Sequence, residues 1–209
     1  MYFIHDQNPV GIIGDIHAEH ESLARTIDHL RSNGVKDILC VGDIVDGFGS
    51  AEACIELLIQ EKVFTVRGNH DRWLVHGKNR HRSNATSIES LSISSKNYLK
   101  NLPAFIEFET STGRLLLCHG FGWNDMTRFV PEEGIIHQWI ERDRYQWIVN
   151  GHTHQRLFKR FGEFFLVNPG TLRRDLNPGF VIIDFAKGPL RFLDLVPGVV
   201  LQYLDIKPI

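Results

Sequence analysis

Cysteine is scarce in this chain of 209 residues, where only Cys40, Cys54 and Cys118 occur. Three is too few and an odd number for a disulfide framework. Two of the three fall inside apolar runs, so all read as small buried hydrophobes in a reducing compartment. Long hydrophobic runs are missing as well. No apolar stretch approaches the roughly 20 residues of a membrane-spanning helix, and the opening Met1-Tyr2-Phe3-Ile4-His5-Asp6 has neither the basic segment nor the apolar core of a secretory signal. A cytoplasmic protein with no membrane partner is the expectation. Charge of one sign is equally lacking. The formal net charge of -2 gives no electrostatic reason for nucleic acid as an obligatory partner. Internal repeats and low-complexity tracts are absent.

What is present suits one core. A hydrophobic content of 43% over this length fits a single domain spanning residues 1–209. Eight short apolar runs read as strands: Gly11–Ile13, Ile38–Val41, Val63–Val66, Leu115–Cys118, Trp147–Val149, Phe164–Val167, Phe180–Ile183 and one around Phe192-Leu193. Between the first two, Leu23, Ile27 and Leu30 share a helical face; between the second and third, Ser50 is placed to cap a helix carrying Cys54, Leu57 and Leu58. Strand–helix alternation gives an α/β fold, with a mixed sheet or a two-sheet sandwich flanked by helices. From about Phe161 onward only turn signals separate the strands, so antiparallel pairing is expected there. Residues 72–95 break the rhythm with Lys78, Arg80, His81, Arg82 and Asn84. That segment reads as a surface excursion, either a lid over a substrate or a plain solvated loop.

Polar residues fall at telling places. Five apolar runs end directly in Gly14-Asp15-Ile16-His17, Gly42-Asp43-Ile44-Val45-Asp46, Gly68-Asn69-His70-Asp71, His119-Gly120 and Gly151-His152-Thr153-His154. In open α/β sheets, ligands bind beyond the carboxyl ends of strands, so these distant motifs converge on one site. Asp, His and Asn are oxygen and nitrogen donors for divalent metals, and no cysteine joins them, which favours manganese, iron or zinc over a thiolate-bound structural zinc. Phosphate esters resist attack because their anionic oxygens repel nucleophiles. Two metals about 3.5–4 Å apart relieve that repulsion and need a bridging carboxylate between them. Singly, each motif is a turn signal that occurs in many chains; all five in order, each closing an apolar run, point to a metal site.

With those motifs the chain resembles the calcineurin-like metallophosphoesterase superfamily, over nearly its whole length. The resemblance implies a four-layer α/β/β/α sandwich with a dinuclear metal site. It assigns Asp15, His17 and His154 to one ion, Asn69, His119 and His152 to the other, and Asp43 to the bridge. It makes His70 the general acid and Asp46 its hydrogen-bonding partner, in a reaction where a metal-bridging hydroxide attacks phosphorus. Manganese is the first choice of metal. The short length, the Gly-Asn-His-Asp motif and the Asn168-Pro169-Gly170-Thr171 turn are most similar to the small bacterial and archaeal phosphodiesterase branch, so a small phosphodiester or nucleotide is the expected substrate.

One departure stands out. Protein phosphatases of this superfamily follow the second Asp of their Gly-Asp-x-x-Asp motif with a phosphate-gripping arginine, whereas Gly47 follows Asp46 here. Arg67, Arg72, Arg173 and Arg174 lie beside the motifs and are candidates for phosphate contact. Asn168 and Thr171 are turn residues first, with a supporting or substrate-contact role as the alternative. His5, His20, His29, His76, His81 and His137 read as ordinary surface or capping histidines. Competing functions are a phosphomonoesterase, a dinucleoside polyphosphate hydrolase and, from another class, a protein-binding scaffold. A retromer subunit of the superfamily became a scaffold by losing ligand and catalytic residues, all of which are retained here.

Overall fold

The computed structural model describes residues 2–4, 8–78, 80, 83–121, 123–128, 145–161, 164–187, 190–196 and, for the backbone alone, 199–206. Strands β1 (Tyr2–Phe3) and β2 (Val10–Ile13) lead to helix α1 (His20–Ser32), β3 (Asp37–Cys40), α2 (Ala51–Gln60), β4 (Phe64–Thr65) and α3 (Asn69–Val75). A 3-10 turn at Ile88–Ser90 and helix α4 (Ile93–Asn101) precede β5 (Phe105–Thr110) and β6 (Gly113–Cys118). The order closes with β7 (Tyr145–Val149), β8 (Leu157–Phe161), β9 (Phe164–Asn168), β10 (Gly179–Ile183), β11 (Leu190–Val196) and β12 (Val199–Ile206).

Two six-stranded mixed sheets result, ordered β1-β5-β6-β7-β9-β8 and β12-β11-β10-β2-β3-β4. Strand alternation sorts the apolar side chains into layers. Val10 and Ile12 of β2 and Leu39 of β3 face the other sheet, where they meet Phe108, Leu115, Leu117, Val149 and Val167. Their neighbours Ile13, Ile38 and Cys40 face the helices and pack with Leu23, Ile27, Leu30, Cys54, Ile55 and Leu58. Each such buried aliphatic side chain contributes about 1.5–3 kcal/mol. Both helices carry their apolar residues at helical spacing, and Ser50 caps α2 as expected, its hydroxyl accepting from Ala53 N at 3.1 Å. A third cluster, with Leu116, Ile148 and Leu166, covers the outer face of the first sheet. Among the described residues no helix contributes to that cluster; His5, His81 and His137 lie outside the described residues. No helix among the described residues is long and apolar enough to cross a membrane.

The expected architecture of two mixed sheets and helices holds, with three corrections. Among the described residues twelve strands stand against the eight expected; β1, β5, β8 and β12 were not foreseen. In β5 and β8, charged residues alternate with or interrupt the apolar ones (Glu107 and Glu109; Lys159 and Arg160), as suits strands not buried on both faces. Antiparallel pairing is right for β10, β11 and β12 but not throughout: β9 pairs parallel with β7, and β10 belongs to the other sheet. Thus Asn168-Pro169-Gly170 is a crossing between sheets rather than a hairpin turn. The third correction concerns residues 72–95. Leu74 and Leu91 are buried in the core there, and the segment supplies the end of α3 and the start of α4.

The crossing from β9 to β10 stitches the sheets together beside Asp15. Asp15 N donates to Gly170 O at 3.3 Å, Leu172 N to Asp15 O at 2.9 Å, and Thr171 Oγ1 to the same carbonyl at 2.7 Å. Only glycine at position 14 permits this approach, because a Cβ there would collide with the Gly170 carbonyl oxygen. Gly14→Ala is expected to destabilise the protein by about 1–3 kcal/mol, lowering Tm by roughly 2–4 °C per kcal/mol in a domain of this size. Thermal unfolding of the variant measures it, and an unchanged Tm would mean that the crossing is slack.

Candidate metal centre

The five motifs leave their strands at one end of the sandwich. β2 leads to Asp15 and His17, β3 to Asp43 and Asp46, and β4 to Asn69 and His70, and these three strands run parallel. From the other sheet, β6 leads to His119 and its parallel neighbour β7 to His152 and His154. All nine residues singled out from the sequence come together. Asp15, His17, Asp43, Asp46, Asn69, His70 and His119 are buried, and His152 and His154 are partly so. Among the described residues, seven non-glycines have left-handed φ, and five of them belong to this set: His17, Asp43, Asp46, His152 and His154. Such backbone strain persists where surrounding structure over-determines it, typically at functional sites.

Ring orientations are fixed from behind. His17 Nδ1 lies 3.0 Å from the Asp46 carbonyl and His119 Nδ1 2.8 Å from the Val41 carbonyl. A carbonyl only accepts, so both Nδ1 atoms donate and each Nε2 is turned into the site. There His17 Nε2 stands 3.0 Å from His154 Nε2, which is 3.2 Å from Asp15 Oδ2. His119 Nε2 stands 3.0 Å from Asn69 Oδ1 and 3.3 Å from Asp43 Oδ2, and His152 Nδ1 is 2.9 Å from the same Asn69 oxygen. Two clusters of electron pairs therefore converge, one around Asp15, His17 and His154 and one around Asn69, His119 and His152, with Asp43 between them. Asp15 Oδ2 is buried with no hydrogen-bond partner. Acceptors facing acceptors, with a buried carboxylate oxygen left over, fit a cation.

Electrostatics say the same. Burial pushes the Asp15 carboxyl up to about 8, with the neighbouring Asp43 charge adding to the rise. Burial also drives the His17 imidazole down to about 4 and His154 down to about 3. Burial opposes a charge on His119 too, but the Asp43 carboxylate prevails and lifts it to about 10. Asp43 itself is held well below the usual carboxylate range, because His119, His17 and His70 outweigh the burial that would raise it. A proton on His119 and a cation between His119, Asp43 and Asn69 are alternative answers to the same negative potential.

The acid pair is also assembled. His70 Nδ1 lies 2.6 Å from Asp46 Oδ2, and His70 N donates to Asp43 Oδ1 at 2.8 Å. Since a carboxylate accepts, Nδ1 carries a proton and Nε2 is the atom left to exchange one.

Several supporting residues were not foreseen. Asp71 accepts from Gly68 N at 2.9 Å and from Ile44 N at 2.8 Å, tying the second motif to the third; its place in the Gly-Asn-His-Asp motif was the available signal. Arg80 and Thr86 reach Asp46, with no signal beyond their presence in a polar segment. Asn168 and Thr171 take the supporting role, Asn168 Nδ2 donating to Gly151 O at 2.8 Å and Thr171 Oγ1 to Asp15 O. The arginines fare differently. Arg72 forms a two-pronged pair with Asp125, Arg173 with Asp175, and Arg174 pairs with buried Glu19. Arg67 differs from the other three in having its Nε buried without a hydrogen bond. At Gly47 a Cβ would collide with the His17 carbonyl oxygen, so this backbone has no room for a side chain there.

Comparison with known proteins identifies the family and the fold. A model of the calcineurin-like phosphoesterase superfamily domain matches residues 9–188. A stretch of 118 residues, 53% of this chain, is 30% identical to an uncharacterised protein of Methanocaldococcus jannaschii; the match spans 48% of that protein, about half its length. Among solved structures, a metallophosphoesterase from Sphaerobacter thermophilus is 20% identical with a TM-score of 0.71, covering 90% of this chain and 88% of that one. A hypothetical protein from Pyrococcus horikoshii is 17% identical with a TM-score of 0.73 over the same shares. A structure described as a novel archaeal phosphodiesterase is 19% identical with a TM-score of 0.59, covering 90% and 99%. At such identities these structures speak for a common fold. The family match takes in all five motifs and the strands from β2 to β10, and the chain therefore belongs to the calcineurin-like phosphoesterase superfamily.

Proposed function

We propose that this protein hydrolyses phosphodiesters or nucleotide-type phosphate esters with two divalent metal ions. The carrying observation is that Asp43 is common to two candidate metal groups, His17–Asp43–His154 and Asp15–Asp43–His119, within each of which the ligating atoms lie within 4.8 Å of one another. In this reading Asp15, His17 and His154 hold one ion, Asn69, His119 and His152 the other, and Asp43 bridges them. Manganese is the first choice, with iron and zinc also suited to a set of oxygen and imidazole donors. The three cysteines are buried and stand apart from that set, which also suits a reducing, cytoplasmic setting. Two such ions, when bound, neutralise phosphate charge and activate water near neutral pH.

The chain supplies the rest. His70 protonates the departing oxygen through Nε2, while Asp46 on Nδ1 fixes the ring and its orientation. Asn69 brings His70 with it, since the two are consecutive and His70 N is held by Asp43. The fold shared with an archaeal phosphodiesterase supports a diester, and the match of residues 9–188 supports one domain over 1–209. Retention of every ligand type, in contact, favours an enzyme over a scaffold.

The substrate class is tested by turnover with added manganese: bis-p-nitrophenyl phosphate is expected to exceed p-nitrophenyl phosphate, and the reverse order would make the protein a monoesterase. Asp43→Asn is expected to lose most bound metal and nearly all turnover. Metal analysis of the purified variant decides this, because two ions per chain would remove Asp43 from the bridge. His70→Asn is expected to keep both ions yet turn over roughly 10²–10⁴-fold more slowly. That loss depends on the leaving group, being large for diphenyl phosphate and small for bis-p-nitrophenyl phosphate, whose departing anion is a weak base. Equal losses on the two esters would deny His70 the role of acid.

A further inference from the structure

Asp46 is held by more than His70. Its carboxylate is fully buried and its backbone is left-handed, with φ 67°. The polar segment after α3 folds back onto it. Thr86 N donates to Asp46 Oδ1 at 2.8 Å, and Asp46 N donates in return to Thr86 Oγ1 at 2.9 Å. Arg80, whose side chain is only 8% exposed, brings Nε to 2.7 Å from Asp46 Oδ2, the same oxygen that faces His70 Nδ1. That Nε contact is off-line for a hydrogen bond and acts as an ion pair. The directed bonds of the guanidinium go from Nη2 to Thr86 O at 2.5 Å and from Nη1 to Lys78 O at 3.2 Å. Arg80, Thr86 and Asp46 thus close a polar ring in which the arginine grips the residue that grips the carboxylate.

We propose that Arg80, acting with Thr86, is a positioning residue that latches the Asp46 carboxylate and through it aims the His70 ring at the leaving oxygen. The inference rests on His70 being the acid. Asp46 sits in a strained conformation midway along the loop from β3 to α2, with no adjacent side chain in sequence to fix its plane: residue 47 is glycine and Val45 faces the core. A carboxylate free to turn about its Cβ–Cγ bond would let the imidazole swing with it. The two-sided hold, amide on one oxygen and guanidinium on the other, removes that freedom. An arginine suits the task because a planar fork can face a carboxylate and a carbonyl at once, which an ammonium cannot do with the same geometry. Arg80 is thereby given a use other than covering a substrate.

The test compares Arg80→Ala, Arg80→Lys and Thr86→Val with His70→Asn in the full-length, manganese-loaded protein. Arg80→Ala is expected to lower kcat on diphenyl phosphate by about 10–100-fold, the usual effect of losing a residue that orients a functional group. On bis-p-nitrophenyl phosphate the loss is expected to be about 3-fold or less, because that leaving group needs little protonation. KM and metal content stay unchanged, and Arg80→Lys falls between Arg80→Ala and the parent. Thr86→Val, which removes a hydroxyl and no charge, shows the same leaving-group preference in milder form and carries the test if Arg80→Ala does not fold. An equal loss on both esters, a raised KM with kcat retained, a loss traced to missing metal, or no loss at all overturns the latch. If His70→Asn discriminates between the esters and the Arg80 and Thr86 variants do not, the latch fails alone. If His70→Asn does not discriminate, the assignment of the acid fails and takes this inference with it.

Discussion

Asp15 and Asp43 are buried close together, and this concentration of negative charge is the constraint from which the site's arrangement follows. Water cannot screen either carboxylate, so the protein must answer each oxygen with a fixed donor, a proton or a cation. Asp43 Oδ1 is met by the His70 amide and Asp15 Oδ1 by the His152 amide at 3.3 Å. Their second oxygens face imidazole nitrogens instead. The His70 amide is one of the free donors in the first turn of α3, while the loops turn left-handed at His17, Asp43 and His152, a conformation unfavourable for side chains larger than hydrogen and maintained by the sheets on either side. The strain, the burial and the donor set are one solution to one electrostatic problem.

Much of this was visible in the sequence because two independent patterns coincide in it. Apolar runs locate buried strands, and a polar motif at the end of such a run locates a strand's mouth, so Asp15, Asp43, Asn69, His119 and His152 could be placed together without knowing any contact. The structure brings all of them together. Strands that mix charge with apolar residues, such as β5 with its Glu107 and Glu109, give no continuous run and escaped notice. The pairing of β9 escaped for a different reason: Asn168-Pro169-Gly170 has the composition of a turn whether the chain reverses within a sheet or leaves it, and only packing distinguishes the two.

Side-chain direction was the least legible feature. Arg72, Arg173 and Arg174 sit next to the motifs in sequence yet are engaged by Asp125, Asp175 and Glu19. Arg80, in a stretch without periodicity, reaches the buried Asp46 across 34 positions of chain. Adjacency along the backbone says nothing about which way a long, flexible side chain turns, since its partner is chosen by charge and burial in three dimensions. By contrast, Asp71, Asn168 and Thr171 each accept one bond from an amide two or three positions away, that of Gly68, Gly170 and Arg173 respectively, as short polar side chains in turns do by habit, and make their other bonds across the fold. Their supporting roles could have been argued from residue type and position.

The way the sheets divide the site between them has a mechanical consequence. Asp15, His17, Asp43 and Asn69 hang from one sheet, His119, His152 and His154 from the other, and each candidate metal group draws on both. The gauge between the two halves of the centre is therefore set by the thickness of the apolar layer between the sheets, where Ile12, Leu39, Val149 and Val167 meet. Close-packed layers transmit changes in volume rather than absorbing them. Trimming or swelling a side chain deep in that layer would alter the spacing of the donors, with no donor changed. Conversely, an ion held across the seam clamps one sheet to the other, so that occupancy of the centre and cohesion of the sandwich become a single linked equilibrium.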